Sequence, residues 1–437
     1  MSKQPGLKQR IITILFLLAF IVAFDWLMEA TRFLEGGSRI RGAAAFLAYT
    51  LLFFLLAVNA TYRLLFDFRS GMIKITVCLV SFLVISMYLA DRVLAVSRLW
   101  SYAVDIRKKT DYFLFKDDPH LGYRAVPNSA GNYEYFIGDS IHGKVPVAFD
   151  STGRRTASVP SPTGDSLDLY LGCSFTFGDY VTAEQSYPYK TSARLGHVPV
   201  NAALSGYGLA QMNQLADTLL TSGRFRYVFI QLSYWLADRA VNPNRTTLYG
   251  YKAVPYFSKA GEGFDLNDPV YKSVFKKKAR EWHTLKRTYA GKLLFAATDG
   301  FSIEFIDYTS YLFARTGMRL GLVPRPAKDL RGLEFQVYDH IIDLVRRSGA
   351  VPVIVKMSYP RELSPSFLDH LQSRAVVADI DKATADSCRI SGKTYKEMFQ
   401  LHHPHPGGPI FFDQHPNPAM TDLISDVILS AVSVPFK

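Results

Sequence analysis

The sequence predicts an α/β protein in which a three-layer, doubly wound parallel sheet follows three transmembrane helices. Two observations predict this fold class. From residue 167 onward, short apolar runs typical of buried strands alternate with amphipathic helical segments. Ahead of residue 95, three segments are almost free of charged side chains, and each is long enough to cross the roughly 30 Å hydrocarbon core of a bilayer. Of the 437 residues, 49% are hydrophobic, as expected for a membrane portion joined to a folded domain.

Residues 1–95 are interpreted as a membrane anchor. The three apolar segments are residues 11–28, 42–62 and 71–90. The middle segment contains no charged side chain, and the other two contain only Asp25 and Lys74 respectively. A signal peptide is the alternative for the first segment, because basic residues precede it. No small-residue cleavage site follows it and two further apolar segments do, which favours three retained helices.

Basic residues near these segments predict the orientation of the chain in the membrane. Six Lys or Arg residues precede the first helix or lie at the junction of the second and third, against three between the first and the second. With three helices, the positive-inside rule then places the carboxyl-terminal part outside the cytoplasm. The basic run Arg107, Lys108 and Lys109 after the third helix favours the opposite orientation.

The net charge of +12 does not predict binding to nucleic acid, because the basic residues are dispersed and no recognition motif accompanies them. An anionic lipid surface or an acidic glycan is the favoured partner of this charge. The sequence predicts neither a metal nor another cofactor. His402, His403 and His405 are interrupted by a proline and match no common set of metal ligands.

Beyond the anchor, residues 96–165 are predicted to form a linker helix, extending to residue 113, and a β-rich lead-in. Residues 166–437 are predicted to form the α/β domain, with a helical insertion at about 242–331. The predicted strands are residues 167–171, 198–202, 226–232 and 351–356. The predicted helices are residues 186–195, 210–220, 333–347 and 418–432. In the insertion, an apolar stripe at residues 301–312 predicts a helix packed on the domain, with a substrate lid or a membrane-lying helix as alternatives.

Ser174 is the candidate nucleophile. It follows the predicted strand at residues 167–171 in the stretch LDLYLGCSFTFG, where Gly172 permits a tight turn. A serine in this place lies at the carboxyl edge of the sheet, where open α/β sheets bind their ligands. The alternative is an ordinary turn serine.

The candidate base is His415, in the stretch FFDQHPN ahead of the last predicted helix. Asp413 lies two residues earlier, close enough to hold the Nδ1 proton and leave Nε2 facing a serine. A structural loop histidine followed by a helix cap at Asn417 and Pro418 is the alternative.

An oxyanion needs hydrogen-bond donors, and the stretch VNAALSGYG at residues 200–208 is the candidate source. Gly206 can offer its backbone N–H together with that of Ser174. The alternative is a glycine-rich entry to a helix without a ligand.

These three stretches, GCSFTFG, NAALSGYG and DQHPN, occur in the order found in the SGNH (GDSL-type) hydrolases, which the chain resembles between residues 167 and 432 apart from the insertion. The segments DPHLGYRAVPN and FDSTGRR resemble the region ahead of the nucleophile in membrane-anchored bacterial members. By position, the resemblance implies that Ser174 is the nucleophile, Gly206 an oxyanion donor, His415 the base and Asp413 its orienting carboxylate. It also implies a flavodoxin-like three-layer domain and acyl-ester chemistry.

The chain departs from the family pattern in two blocks. Cys173 stands where the family has an aspartate that acts as a positioning group, and as an alternative nucleophile it is disfavoured because adjacent side chains point in different directions. The asparagine that the family places after its third strand is absent from the stretch QLSYWLADR at residues 231–239. Trp235 and Ser233 in this stretch are the candidates for contacting the substrate.

Three functions follow as hypotheses. The first is a serine esterase that removes acyl groups from a glycan or lipid of the cell envelope. The second is an O-acyltransferase that modifies an envelope polysaccharide, with a membrane acyl donor as its partner. The third is a non-catalytic envelope assembly protein. In each, the expected location is the bacterial inner membrane, as a multi-pass protein whose folded domain faces the periplasm or the cell exterior.

Overall fold

The computed structural model describes residues 106–110, 114–137, 141–157, 164–247, 250–273, 310, 313–358, 361, 363–404 and 408–434. The chain divides into two compact units, Met1–Asp105 and Ile106–Lys437, and every described residue belongs to the second. The three predicted membrane segments and most of the predicted apolar stripe lie outside the described residues. Among the helices that are described, none combines the length and the apolar character needed to cross a bilayer.

In the described residues, the strands are β1 (Ile106–Thr110), β2 (Phe115–Asp118), β3 (Gly122–Ala125), β4 (Ala130–Ile137), β5 (Ile141–Phe149), β6 (Arg155–Thr156), β7 (Leu167–Leu171), β8 (Val198–Asn201), β9 (Tyr227–Leu232), β10 (Asn244–Thr247), β11 (Gly250–Ala253), β12 (Tyr256–Ala260), β13 (Gly263–Asn267), β14 (Val351–Lys356), β15 (Val376–Asp379), β16 (Gln400–His403) and β17 (Ile410–Pro416). The helices are α1 (Ser174–Phe177), α2 (Tyr187–Leu195), α3 (Leu209–Ser222), α4 (Tyr234–Ala240), α5 (Leu330–Arg347), α6 (Pro365–Gln372), α7 (Ile380–Ser391), α8 (Tyr395–Phe399) and α9 (Pro418–Val432). Residues 313–320 are also helical.

Five parallel strands form the central sheet, in the order β15, β14, β9, β7, β8. Read from the β8 edge, this is the flavodoxin-like order of a doubly wound sheet. The winding direction reverses between β7 and β9. The carboxyl ends of these two strands therefore flank the crevice in which such sheets bind their ligands.

Helices cover both faces of this sheet. Leu169 and Leu171 of β7 contribute to a core with α3 and α5, whereas Tyr170 between them contributes to a second core with α2 and α9. In β9, Val228 and Ile230 likewise belong to the first core. This period of two is typical of strands that are buried on both faces. The predicted three-layer, doubly wound α/β architecture is thus confirmed for the described domain.

The predicted strands and helices outside the insertion all occur, with bounds that differ from the prediction by three residues or fewer. The strand β15, the fifth of the sheet, is not among the strands predicted from the sequence. It is only four residues long, VVAD, and lies between two polar helices, so it carries too little periodicity to be recognised.

Two predictions about the flanking regions disagree with the structure over part of their length. The linker helix is predicted to extend to residue 113, but residues 106–110 form the strand β1, which pairs antiparallel with β4 over its whole length. The described start of the insertion is not helical but consists of two antiparallel hairpins, β10 with β11 and β12 with β13. In the second hairpin, Gly261 adopts a φ of +55° at the turn, a conformation that glycine favours and that reverses the chain.

The lead-in strands pack against the loops at the carboxyl edge of the sheet. Tyr133 and Phe149 share a core with Phe177 and Phe412, which flank the candidate nucleophile and base. Arg155 on β6 adds polar contacts to this core. Its guanidinium is buried, donates to the carbonyls of residues 177, 178 (2.6 Å) and 181, and lies 4.6 Å from the centre of the Phe177 ring.

We predict that Arg155→Lys destabilises the protein by about 2 to 4 kcal/mol, because an ammonium group cannot reach three carbonyls and leaves buried acceptors without donors. Urea-induced unfolding of the purified full chain measures this loss.

The neighbouring Arg154 offers a matched control. Arg154→Lys makes the same chemical change at a half-buried position and is expected to stay within about 0.5 kcal/mol of the parent. Equal stability of the two variants would contradict the role given to Arg155.

Candidate active site

Ser174 begins the short helix α1, directly after the tight turn that ends β7. The side chain is 5% exposed, and its Oγ lies 3.9 Å from the sulfur of Cys173, to which it donates. Gly178 ends the helix with a φ of 84°, a conformation that favours glycine. The turn therefore places a serine hydroxyl at the carboxyl edge of the sheet, beside the crevice between β7 and β9.

Gln231, the fifth residue of β9, holds this turn in place. Its Oε1 accepts from the backbone N–H of Cys173 at 3.0 Å and from Oγ1 of Thr176 at 2.7 Å. Its Nε2 donates to the Cys173 sulfur at 3.3 Å and to Ser233 Oγ at 2.9 Å. A Cβ at Gly172 would lie 2.1 Å from the Thr176 Oγ1, so only glycine leaves room for these contacts.

Gln231 is not among the site residues predicted from the sequence, because the family pattern has an asparagine in this stretch. The signal that was available is a single amide in an otherwise apolar strand, YVFIQL, since a buried amide requires hydrogen-bond partners. Asn201, at the end of β8, supports the same turn by donating to the carbonyl of Thr176 at 3.1 Å.

Asp413 and His415 lie on β17, which pairs with β16. Asp413 Oδ1 accepts a hydrogen bond from the backbone N–H of His415 at 2.9 Å and contacts the Nδ1 of the same residue. The Asp413 side chain is 2% exposed and that of His415 13%. The pair is therefore mostly shielded from water, and the imidazole is the more exposed of the two side chains. Asn417 caps the last helix by accepting from the N–H of Met420 at 3.0 Å.

Asp179 is a site residue that the sequence does not predict. It contacts all three stretches that carry predicted site residues. Its Oδ2 lies 3.6 Å from the Nε2 of His415, and its Oδ1 accepts from the hydroxyl of Ser205. Its own backbone N–H donates to the carbonyl of Ser174 at 3.1 Å. The turn with the serine, the loop with Gly206 and the histidine strand thus meet around one buried carboxylate.

The two carboxylates control the charge of His415. Burial lowers the pKa of His415, but Asp413 beside Nδ1 and Asp179 beside Nε2 more than offset this effect, and the pKa is raised above the ordinary 6.5. Burial also raises the pKa of Asp179, an effect that His415 and Ser205 only partly offset. The imidazole of His415 therefore stays protonated to higher pH than an ordinary histidine.

Gly206 lies in the loop after β8 with a φ of +85°. The residues on either side are buried, and the loop is fixed from the lead-in: the hydroxyl of Tyr123 donates to the Ser205 carbonyl at 2.6 Å, and that of Tyr207 to the Tyr123 carbonyl at 2.8 Å. The loop that carries the predicted oxyanion donor is thus held rigidly beside Asp179.

The two candidate substrate contacts, Ser233 and Trp235, differ in their exposure and in their contacts. Ser233 is 1% exposed and its hydroxyl donates to the carbonyl of Met357 at 2.6 Å, so its proton is used within the fold. Trp235 is half-buried and continues a row of neighbouring rings. The centres of the His415 and Phe175 rings are 5.4 Å apart, those of Phe175 and Trp235 5.1 Å, and those of Trp235 and Tyr234 4.9 Å.

This aromatic row ends at Arg361, whose guanidinium lies 4.9 Å from the centre of the Tyr234 ring. Arg361 follows β14 and is exposed. The row therefore runs along the carboxyl edge of the sheet, from the candidate base to a positive charge.

The predicted site residues are not joined into one continuous hydrogen-bonded triad. Within the described residues, no hydrogen bond connects the Oγ of Ser174 with the Nε2 of His415, although the ring of the adjacent Phe175 contacts the imidazole. Catalytic hydrogen bonds in free enzymes are often long and shorten when substrate binds. In the same part of the chain, no group of three His, Cys, Asp or Glu side chains is arranged to hold a metal ion.

Comparison with known proteins leaves the family unassigned. No protein-family model and no curated protein matches the chain. Among solved structures, the chain is similar to one described as TesA, at 11% identity and a TM-score of 0.30, covering 61% of this chain and 98% of that one. It is also similar to a family 2 carbohydrate esterase with a carbohydrate-binding domain from Corynascus thermopiles (Myceliophthora fergusii), at 12% identity and a TM-score of 0.28, covering 69% and 74%. Neither likeness assigns an activity to this chain.

We predict that Gln231→Leu destabilises the protein by at least about 2 kcal/mol, because the Cys173 N–H and the Thr176 hydroxyl lose their buried acceptor. Urea-induced unfolding tests the stability of the variant.

Gln214 on α3 provides the control, because its buried Oε1 has no hydrogen-bond partner within the described residues. Gln214→Leu removes an unsatisfied group and is expected to be neutral or stabilising. An equal loss of stability in both variants would contradict the structural role given to the hydrogen bonds of Gln231.

Proposed function

We propose that this protein is a membrane-anchored serine esterase of the SGNH type that cleaves acyl esters of a cell-envelope glycan or lipid. The observation that carries the proposal is the Asp413 and His415 pair, buried at the carboxyl edge of a doubly wound sheet beside the turn that presents Ser174. An aspartate that holds Nδ1 leaves Nε2 to act on a serine, which is the arrangement that acyl transfer through a covalent intermediate requires.

The proposed reaction has two steps. Ser174 Oγ attacks the ester carbonyl carbon and its proton passes to His415 Nε2; when the carbonyl re-forms, the ester C–O bond breaks and the leaving alkoxide takes that proton. A water molecule then attacks the acyl-serine, again giving a proton to His415, which returns it to Ser174 Oγ as the carboxylic acid leaves. Backbone N–H groups of Ser174 and Gly206 are proposed to stabilise the oxyanion in both steps.

The aromatic row supports a saccharide-bearing substrate. Sugar rings present apolar C–H faces that pack on aromatic rings, and Trp235 and Tyr234 continue the row beyond Phe175 at partial exposure. Arg361 at the end of the row can meet an anionic group of the glycan or a lipid phosphate. Together with the predicted anchor, this arrangement of rings and charge favours an ester of the cell envelope as the substrate. The active site would then face the periplasm or the cell exterior.

An O-acyltransferase is the second candidate function, and the same row favours it. Transfer differs from hydrolysis only in the second step, where a sugar hydroxyl replaces water as the nucleophile. A row of rings that begins at the catalytic base can hold that hydroxyl next to His415. An acylated enzyme that releases acid at the same rate with and without added glycan would count against transfer.

We predict that Ser174→Ala lowers hydrolysis of a short-chain aryl ester by at least about 10³-fold, because the covalent step is lost. The rate of phenol release by the purified full chain measures this loss.

Ser222→Ala, at an exposed serine near the end of α3, serves as the control and is expected to keep the parent rate. Equal activity of the Ser174→Ala variant and the parent would remove the esterase proposal.

We also predict that hydrolysis increases with pH through a pKa above 6.5. Only the neutral imidazole of His415 can accept the serine proton, and the two carboxylates hold that group protonated to higher pH. A pH profile of kcat/KM locates this pKa; a midpoint below 6.5 would contradict the described environment.

A further inference from the structure

The strongest feature that the proposed chemistry does not use is the carboxylate of Asp179. The residue is 1% exposed, and its Oδ2, 3.6 Å from His415 Nε2, has no hydrogen-bond partner within the described residues. A buried carboxylate oxygen without a hydrogen bond is costly unless a positive charge compensates for it. The imidazolium form of His415, with Nε2 3.6 Å from this oxygen, can supply such a charge.

The surrounding structure fixes this carboxylate where it stands. Its other oxygen accepts from Ser205, and the backbone N–H of Asp179 donates to the Ser174 carbonyl at 3.1 Å. Arg155 binds the carbonyls of Phe177, Gly178 and Val181, on both sides of Asp179 in the chain. The position is therefore set by the lead-in, by the serine turn and by the loop after β8 together.

The charged and titratable groups around the pair are few. His415 faces Asp413, Asp179 and the thiol of Cys173. Asp179 faces His415, Asp413 and the guanidinium of Arg155. Asp179 lies beside the Nε2 edge of the ring, where the proton of the serine arrives and departs, whereas Asp413 lies at the Nδ1 edge.

We propose that Asp179 is a second positioning carboxylate of the active site, which stabilises the imidazolium of His415 from the Nε2 edge while Asp413 does so from the Nδ1 edge. This inference rests on the proposed function and deepens it. When Ser174 Oγ bonds to the acyl carbon and its proton moves to Nε2, a positive charge forms on the ring, and Asp179 is already in place to compensate for it. No proton is transferred to Asp179 in the step.

The arrangement also has a cost at low pH. Two carboxylates keep His415 protonated to higher pH than an ordinary histidine, and below its pKa the fraction of neutral imidazole falls about tenfold for each pH unit. Asp179 is thus expected to accelerate proton transfer from Ser174 once the imidazole of His415 is neutral. It also narrows the pH range in which that imidazole is neutral.

The test compares rates of labelling of Ser174 by a fluorophosphonate probe, as a function of pH, in the full-length parent and the Asp179→Asn variant. Asparagine keeps the volume and the acceptor for Ser205 but removes the charge. We expect the acid limb of the profile to move to lower pH by about one unit, and the rate on the alkaline plateau to fall about tenfold. If Asp179 merely held the Ser205 loop, the Asp179→Asn substitution would leave the acid limb of the labelling profile at the same pH.

Asp168 provides the matched control. It is a fully buried aspartate on β7 that pairs with His197 Nδ1 at 3.0 Å and accepts from Ser192 at 2.8 Å. Asp168→Asn makes the same substitution in a second Asp–His pair and is expected to leave the limb unchanged.

The outcomes are distinct. Labelling of the parent with coincident limbs for parent and Asp179→Asn overturns this inference alone, whereas no labelling of the parent at any pH overturns the proposed function and this inference with it. If Asp179→Asn does not fold, Ser205→Ala decides: loss of the hydrogen bond weakens the ionisation of Asp179, so a smaller shift of the limb in the same direction is expected. An unchanged limb in that variant overturns the inference.

Discussion

The hydrogen bonds of one buried amide fix the position of the candidate nucleophile. Gln231 lies inside the sheet, fully buried, and its two amide atoms bond the backbone and side chains of the turn that follows β7. In a low-dielectric interior such a network holds only one geometry, because any shift leaves a polar group without a partner. Asn201 and Arg155 hold the same turn from the neighbouring strand and from the lead-in. The serine is thus positioned by groups that do not take part in the proposed chemistry.

Electrostatics connect this turn with the histidine strand. Asp179 follows the serine helix in the chain, yet its carboxylate lies between the loop after β8 and the ring of His415. Three segments that carry predicted site residues, namely the turn with Ser174, the loop with Gly206 and the strand β17, are therefore coupled through a single buried carboxylate. Because two carboxylates flank one imidazole, the state of the base depends on groups from both ends of the α/β domain, more than 230 residues apart.

The sequence predicts most of the fold and only part of the site. Leu169, Val228 and their neighbours reveal the buried strands, because a strand covered on both faces is apolar over its whole length. Short or edge elements such as β15 and the hairpins of the insertion lack that signal. Gln231 and Asp179 were missed for a different reason: their roles depend on distances between residues far apart in the chain, and no local pattern records that an amide or a carboxylate faces a particular partner.

The packing of the lead-in has a consequence for how this architecture can vary. Tyr133 and Phe149 share a core with Phe177 and Phe412, and Arg155 bonds the turn beside the nucleophile. A recombination event that joined the α/β domain to a different amino-terminal segment would expose this core and release the loop that carries Asp179. The lead-in and the α/β domain are thus expected to be exchanged only together in recombination. Sequence variation is expected instead in the hairpins of the insertion, which contribute no residue to the serine and histidine geometry described above.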